Sequence, residues 1–507
     1  MSTPQLATFK CLQSKMNLRG LEAALAQMQH ELPFEVSYIV NDSLIRTDKL
    51  VKQAIPSDHA ADEATVANAI DGALSAKFEW EAMPWNDRAA IFLCTAELVS
   101  GKYCYKLVAA TMLGQGKNTW QADIDAVELS DFLCFGVKYV EELHAQQPPK
   151  NAVGSWNRIE YHALEGFVLA VSPFNFTAIG GNLPDVPAIV GNTVVWKPSP
   201  AATYSNYLIY QILAEAGVPP GVIRFIPGPP PEVVAQAISH PNFTVLHFTG
   251  STFIFKKLWK DIATNLDNYK GHPRIIGETG GKNFHVIHKS AEIRNAYQGQ
   301  KCSALPRLYV SSSLWSSGFK DLLLSEVAKI KIRSPSDFSN FIGPVIGRPA
   351  HDKIIGFIQK AKDAGGEVLI GGTGDDSKGY FIQPTVILTK DPESVTMKEE
   401  IFGPVYVYDD TNYEQTLELI ENTSLYALTG SIFATERRAL LTAKNKLHNT
   451  AGNVYYNEKC TGAVVGRASG TNDKARSISI FYRFISVRSI KENFVGLEDF
   501  QYPSNLI

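Results

Sequence analysis

Apolar residues recur along the chain with two different spacings, and the change from one to the other divides it into blocks. Between Asp62 and Gln147 they recur every three or four residues, which predicts a series of amphipathic helices. Two of these helices are predicted to start near Ala64 and at Trp85. From Gly166 onward, short apolar runs of strand length alternate with stretches of helical spacing.

The alternating part of the chain predicts a parallel sheet. The apolar runs with the length of strands are Phe167–Val171, Thr193–Trp196, Val222–Phe225, Thr244–Phe248 and Arg274–Ile276. The stretches of helical spacing between them are Ala201–Ala216, Pro231–Ser239 and Phe253–Leu266. Such alternation is typical of βαβ units, so we expect an α/β fold with a doubly wound sheet of the Rossmann type.

A second α/β block is predicted from about Phe284 to Val454. Its predicted helices are Ser316–Ile330, Ala350–Ala364 and Tyr413–Asn422. Within it, the Gly-rich run Gly371–Gly379 has the composition of a phosphate loop. Because this run contains two aspartates and no helix pattern follows it, we interpret it as a surface hairpin turn.

Length, charge and cysteine content exclude several classes of protein. At ~150 residues per domain, a length of 507 residues predicts about three domains or lobes. The chain has 48 Lys+Arg and 51 Asp+Glu, a net charge of -3, without the basic excess of a nucleic-acid binder. No apolar run approaches the ~20 residues needed to span a bilayer, so neither nucleic acid nor membrane is an expected partner. The six cysteines include no Cys-x-x-Cys pair, which fits neither a disulfide framework nor a zinc site and indicates a reducing compartment without a bound metal.

Candidate chemistry lies where predicted strands end. Asn175 could donate a hydrogen bond to a developing oxyanion, or simply cap the next turn. Lys197 could hold ribose hydroxyls or a phosphate, or be a solvated lysine before a turn. The Gly250-Ser251 turn could receive a pyrophosphate at a helix N-terminus, or Ser251 could be an ordinary N-cap.

Three further motifs follow along the chain. Glu278, followed by paired glycines, could be a general base for water. The alternative, an ordinary turn that contains a glutamate, explains the paired glycines less well. Cys302 has polar flanks, and Lys301 beside it favours a thiolate nucleophile over a buried apolar cysteine. Glu400 and Phe402 could hold a ribose and a nicotinamide, or form a helix end and turn.

In this order, the motifs resemble those of the NAD(P)-dependent aldehyde dehydrogenase superfamily, from roughly residue 62 to the end. Within it, the chain is most similar to the delta-1-pyrroline-5-carboxylate dehydrogenases, also called L-glutamate gamma-semialdehyde dehydrogenases. The segments that carry this resemblance are Leu113–Lys117, Ser172–Leu183, Gly281–His285, Arg307–Val310 and Ala468–Lys474.

The resemblance implies a role for each candidate residue. Cys302 would be the nucleophile, Asn175 with the Cys302 amide would bind the oxyanion, and Glu278 would activate water. The residues implied to bind the cofactor NAD are Lys197, Gly250, Ser251, Glu400 and Phe402. Those implied to contact the small-molecule substrate are Lys301, Ser303, Phe176, Asp123 (where the family has Glu) and Ala463, in a recognition loop at Thr461–Gly466. The implied reaction is oxidation of L-glutamate 5-semialdehyde to L-glutamate, the second step of proline breakdown.

The family also implies how the chain is divided and where it works. We expect an NAD-binding domain from residues 1–149 and 165–284 and a catalytic domain from residues 285–455. Residues 150–164 and 456–507 would form a hairpin arm and C-terminal segment that join subunits into a homodimer or higher homo-oligomer. The arm itself is predicted at Asn151–His162, paired with a strand at Phe484–Ser489. The expected compartment is the mitochondrial matrix, with the cytoplasm as the alternative.

Several segments depart from the family pattern. The chain is short by roughly ten residues between Glu278 and Cys302, about three helical turns at ~1.5 Å per residue. The usual Gln-Pro-Phe-Gly-Gly segment is missing after Gly466, and Ala463 replaces a substrate-contacting Ser. Pro200 stands where the family usually has an acid near the adenosine ribose, and Pro306 follows the nucleophile.

These departures leave two alternatives to the leading function: an aldehyde dehydrogenase with altered substrate choice, and a catalytically silent dehydrogenase-like protein. Because the missing segments are short and contiguous between well-matching stretches, we interpret the chain as a splice, gene-model or sequencing variant of a family member.

Overall fold

The computed structural model describes residues 15–31, 38–40, 43–45, 50–51, 58–59, 63–292, 307–399, 404–424, 427–458, 460, 477–495 and 504. The predicted site residues outside these ranges are Lys301, Cys302, Ser303, Glu400, Phe402 and Ala463.

The predicted helical block is confirmed as four helices among the described residues. The first described elements are α1 (Lys15–His30) and two small antiparallel pairs, β1 (Tyr38–Val40) with β2 (Ser43–Ile45) and β3 (Leu50–Val51) with β4 (Asp58–His59). The block itself is α2 (Glu63–Ala82), α3 (Trp85–Ser100), α4 (Cys104–Gln115) and α5 (Thr119–His144). Local sequence sets its turns: Gly116 ends α4 with φ 68, and Asn118 caps α5 by accepting a hydrogen bond from the Gln121 amide.

The doubly wound parallel sheet is also confirmed. After β5 (Ser155–Ala163), the chain alternates β6 (Phe167–Val171), α6 (Thr177–Ile189), β7 (Thr193–Lys197), α7 (Thr203–Glu215), β8 (Ile223–Phe225), α8 (Pro230–Ile238), β9 (Phe243–Gly250), α9 (Thr252–Ala263) and β10 (Arg274–Thr279). The described strands pair in the order β10-β9-β6-β7-β8, all parallel. Strand β7 is buried along its whole length, as expected when helices cover both faces of a sheet. The two apolar cores on these faces place most of the helical block on one side and α2 with α8 and α9 on the other.

A second, larger sheet forms the other α/β block. Its elements and those beside it are β11 (Phe284–Ile287), β12 (Leu308–Ser311), α10 (Ser312–Leu314), α11 (Lys320–Ala328), α12 (Arg348–Asp363), β13 (Glu367–Ile370), β14 (Gly374–Asp375), β15 (Phe381–Ile382), β16 (Val386–Thr389), α13 (Val395–Lys398), β17 (Pro404–Tyr408), α14 (Tyr413–Thr423), β18 (Ala427–Phe433), α15 (Arg437–Lys446) and β19 (Ala451–Tyr456). The last described strand, β20 (Ile485–Asn493), pairs with β5 instead. Its described strands pair in the order β13-β16-β17-β12-β11-β18-β19, parallel except for β13 at the edge. The helix predicted at Ser316–Ile330 instead follows a wide turn at Trp315–Phe319, where Gly318 has φ 116.

Two extended features match their predictions. The Gly-rich run is a surface hairpin, since Gly374–Asp375 pairs with Phe381–Ile382. The predicted arm is an antiparallel pair of β5 and β20, in register from Ser155 opposite Asn493 to Ala163 opposite Ile485. Its second strand therefore runs four residues beyond the predicted end at Ser489.

No described helix is long and apolar enough to cross a membrane. Within the same residues, no group of three or more His, Cys, Asp or Glu side chains could hold a metal ion. Cys104 is disulfide-bonded, whereas Cys94, Cys134 and Cys460 are free thiols. The cysteine spacing did not predict this bond, because spacing alone does not determine pairing.

One buried carboxyl in α6 gives a testable prediction about stability. Asp185 is buried, and neither of its oxygens has a hydrogen-bond partner in the described part of the chain. Burial raises the pKa of Asp185 well above its usual value. The native state therefore holds a proton that the unfolded chain releases above pH ~4, so this carboxyl lowers stability increasingly as the pH rises.

We expect Asp185→Asn to remove this dependence. The difference in unfolding free energy between variant and wild type should shift in favour of the variant from pH 5 to pH 8, by at most about 1.4 kcal/mol per pH unit. Denaturant unfolding at several pH values measures it, with exposed Asp267→Asn as the control. A difference that does not change with pH would contradict the prediction.

Candidate active site

The described candidate residues meet at one edge of the first sheet. Val171, the last residue of β6, lies opposite Lys197 at the end of β7 and opposite Phe248 in β9. Glu278 in β10 lies opposite Thr249 in β9. Because these parallel strands end level with one another at ~4.8 Å spacing, their carboxyl ends form an edge about 15 Å long. This is where open α/β sheets bind ligands.

The loop that carries Asn175 is fixed on its strand side. The Ser172 amide donates to the Lys197 carbonyl over 3.0 Å, and the Ser172 hydroxyl donates to the Gly180 carbonyl over 3.0 Å. The Trp196 indole donates to the same hydroxyl over 2.7 Å. Asn175 itself is exposed, so its amide can reach a ligand at the edge.

Lys197 is not the solvated lysine that one interpretation allowed. Its side chain is only 1% exposed, and Nζ donates to the Pro198 carbonyl over 2.5 Å. Its burial at the end of β7 therefore excludes the interpretation as a solvated surface lysine.

The Gly250-Ser251 turn forms the N-cap of α9. Ser251 caps α9 by accepting a hydrogen bond from the Ile254 amide over 3.3 Å. A Cβ at Gly250 would lie 2.6 Å from the ring of Phe248, so no larger residue fits there. The bare backbone and the N-terminus of α9 suit the pyrophosphate of a dinucleotide.

Glu278 is half-buried on β10, beside this turn. The glycine before it is required by packing, since a Cβ at Gly277 would lie 2.3 Å from the ring of Phe255. The Thr252 hydroxyl donates to the Gly280 carbonyl over 3.3 Å, which ties the Glu278 loop to the start of α9.

The chain leaving Glu278 is anchored in the second sheet. The Asn283 side-chain oxygen accepts hydrogen bonds from the Leu428 and Thr429 amides, each over 3.0 Å. Buried Arg307, at the start of β12, donates from Nε to the Lys282 carbonyl over 3.2 Å. These bonds connect the Glu278 loop to the strand that follows the Cys302 segment.

Asp123 and Asp125 both lie on the first turns of α5, but their environments differ. Asp123 is 1% exposed, has no hydrogen-bond partner among the described residues, and burial raises its pKa to about 6. Asp125 is fully buried and paired with Lys117, with 2.6 Å between Nζ and Oδ2. The sequence reasoning missed this pair, although the segment Leu113–Lys117 was one of the family signals.

Comparison with known proteins identifies the family. The model of the aldehyde dehydrogenase family matches residues 46–490. The chain belongs to the aldehyde dehydrogenase family.

Three similar proteins are delta-1-pyrroline-5-carboxylate dehydrogenases. A delta-1-pyrroline-5-carboxylate dehydrogenase of Agaricus bisporus is 66% identical, covering 100% of both chains. The mitochondrial delta-1-pyrroline-5-carboxylate dehydrogenase of Homo sapiens is 42% identical over 95% of this chain and 91% of its own. The crystal structure of the delta-pyrroline-5-carboxylate dehydrogenase from Mycobacterium tuberculosis bound with NAD has a TM-score of 0.92 at 41% identity, covering 100% of this chain and 98% of that one.

The fungal alignment also bears on the missing segments. It spans 547 positions, whereas this chain has 507 residues, so at least 40 aligned positions face a gap in this chain.

Proposed function

We propose that this aldehyde dehydrogenase oxidises L-glutamate 5-semialdehyde, formed from 1-pyrroline-5-carboxylate, to L-glutamate with NAD+, the second step of proline degradation. The observation that carries the proposal is the 66% identity over the full chain with a delta-1-pyrroline-5-carboxylate dehydrogenase. The edge of the first sheet, where an amide, a carboxylate and a Gly-Ser turn lie at the ends of neighbouring strands, supports this proposal, because these are three of the groups that the oxidation would use.

In the proposed reaction, the Cys302 thiolate attacks the aldehyde carbon, and the Asn175 amide donates a hydrogen bond to the resulting oxyanion. Lys197, Gly250, Ser251, Glu400 and Phe402 would hold NAD+, which would supply the acceptor for the hydride that leaves this carbon. Collapse of the oxyanion then leaves a thioester on Cys302. Glu278 takes a proton from a water molecule that attacks the thioester, which releases glutamate and the thiol.

The described cofactor residues fit a dinucleotide. Buried Lys197 would hold the adenosine ribose, and Gly250 with Ser251 would hold the pyrophosphate at the N-terminus of α9. Glu400 and Phe402 are proposed for the nicotinamide ribose end, on the family pattern.

Substrate contacts are proposed at Lys301, Ser303, Phe176, Asp123 and Ala463. Phe176 and Asp123 are buried, so they would form the floor of the site, beneath exposed Asn175. The alternative of altered substrate choice follows from Ala463, which lacks the hydroxyl of the family's Ser at a substrate-contacting position.

The proposal is tested by the purified chain with NAD+ and either the semialdehyde or pentanal, an unsubstituted aldehyde of the same chain length. NADH formation with the semialdehyde alone, and glutamate as product by mass spectrometry, would support the proposed function. Equal turnover of both aldehydes would favour altered substrate choice, and NAD binding without turnover would favour the silent alternative. If the protein isolated from its organism has an intact mass that matches 507 residues, the variant interpretation is wrong.

We infer that the arm joins two copies of this chain, and that the enzyme works in the mitochondrial matrix, with the cytoplasm as the alternative. The β5–β20 pair exposes the large apolar side chains of Trp156 (47% exposed) and Val487 (54%), and Phe494, directly after β20, is 67% exposed. A second copy that covers this strand pair would remove them from water.

We expect Val487→Glu to shift the native protein from oligomer to monomer, because a carboxylate buried in the subunit contact would be unpaired. Size-exclusion chromatography with light scattering measures the change. Leu441→Glu, which places the same carboxylate on an exposed apolar position of α15 outside the arm, is the matched control and should leave the mass unchanged. An unchanged mass for Val487→Glu would contradict the role of the arm.

A further inference from the structure

The helix that follows Asn175 begins without a cap of its own. Helix α6 starts at Thr177, and the preceding residue Phe176 is extended, with φ -151 and ψ 103, and makes no side-chain cap. The first amides of a helix need hydrogen-bond acceptors from elsewhere when they are buried. At α6 the acceptor comes from another helix.

Asp125 on α5 supplies this acceptor. Its Oδ2 atom accepts a hydrogen bond from the Thr177 amide over 2.7 Å, although 52 residues separate the two along the chain. The same oxygen lies 2.6 Å from Lys117 Nζ, and the Asp125 side chain is fully buried. A carboxylate at a helix N-terminus is favoured by the helix dipole, and Lys117 compensates the buried charge.

The side chain of Thr177 is held as firmly as its amide. Gln115 donates from Nε2 to the Thr177 hydroxyl over 2.6 Å, and the Thr111 hydroxyl lies 2.9 Å from it. Lys117 Nζ also lies 5.1 Å from the centre of the Phe176 ring. The two residues after Asn175 are thus fixed by α4, by α5 and by the turn between them.

From this geometry we propose that Asp125 and Lys117 are positioning residues for catalysis, which hold the Asn175 amide at the distance an oxyanion requires. The proposal rests on the proposed function, because it assumes that Asn175 stabilises the oxyanion. On the strand side, Ser172 anchors the loop to Lys197 and Gly180. With both ends tied, the Asn175 side chain is pre-oriented, and a shift of about 1 Å in such a group can cost about a hundredfold in rate.

The test compares Asp125→Asn, which keeps an oxygen for the Thr177 amide but removes the ion pair, with Lys117→Met, which leaves the carboxylate without its cation. We expect kcat to fall about tenfold in each, with the KM for NAD+ unchanged within twofold. Asp185→Asn, a buried acid on α6 itself, is the matched control and should keep the wild-type kcat. One variant removes a negative charge and the other a positive charge. If one of them does not fold, the other still tests the proposal.

A double-mutant cycle with Asn175→Ala decides whether the effect passes through Asn175. If it does, Asp125→Asn should lower kcat less than twofold in the Asn175→Ala background. A full tenfold loss in that background, or an unchanged kcat in the single variants, would overturn the proposal while leaving the proposed function intact. A wild-type enzyme that forms no NADH from the semialdehyde would overturn both.

Discussion

Replacing Cys302 by Ser is expected to lower the rate of NADH formation from L-glutamate 5-semialdehyde by at least about 10³-fold. The reason is the acidity of the nucleophile. A thiol with a pKa of ~8.5 is partly ionised to thiolate at neutral pH, whereas an alcohol stays protonated and attacks the aldehyde carbon poorly. NADH absorbance in the steady state measures the loss, and fluorescence titration with NADH shows whether the variant still binds the cofactor.

The matched control is Cys94→Ser, because Cys94 is an exposed free thiol on α3, outside the candidate site. It should keep the wild-type rate. A Cys302→Ser rate within tenfold of wild type would remove this thiol from the mechanism. The aldehyde would then be oxidised without a covalent bond to Cys302. Loss of activity in both serine variants would instead indicate general sensitivity to thiol replacement.

How far the site could be predicted depends on what each residue needs from the rest of the fold. The edge of the first sheet was predictable because its strands are short, continuously apolar runs that end at polar motifs. In β6 and β7 the run ends at Val171 and Lys197, and the register places these two residues opposite each other. Parallel strands bring their carboxyl ends to one edge, so the topology alone gathers Asn175 and Glu278 there.

Packing between helices could not be predicted in the same way. The burial of Lys197 follows from neighbouring strands and turns, and the sequence around it fits a solvated lysine equally well. The Lys117–Asp125 pair depends on how the turn between α4 and α5 meets the start of α6. Asp125 and the first residue of α6 are 52 residues apart along the chain. Periodicity identifies each of these helices but carries no information about which polar side chains face each other between them.

The contacts of Arg88 could not be predicted from helical periodicity either. Its buried guanidinium joins three helices. Arg88 lies in the first turn of α3 and is 5% exposed. It donates from Nε to the Ile189 carbonyl over 3.2 Å and from one terminal nitrogen to the carbonyls of Trp80 and Glu81, each over 3.2 Å, and of Met83. These carbonyls are at the ends of α2 and α6, which have no intrahelical donors.

Burial lowers the pKa of Arg88 to about 10, so the guanidinium remains charged at neutral pH. A cation at the C-terminal ends of two helices is also favoured by their dipoles. Because α6 runs from the Asn175 loop to its end at Ile189, Arg88 connects the helical block to the far end of the helix that follows Asn175.

Arg88→Met should therefore lower the free energy of unfolding by about 4 kcal/mol, since methionine fills the space of the side-chain stem but leaves several buried carbonyls without donors. Denaturant unfolding followed by far-UV circular dichroism measures the change. Arg88→Lys should recover part of it, because an ammonium can still donate to some of these carbonyls. Arg333→Met removes an exposed ion pair with Asp337 and should cost less than about 1 kcal/mol. If Arg88→Met costs no more than this surface control, the carbonyls at the two helix ends are satisfied by water, and the guanidinium does not hold the three helices together.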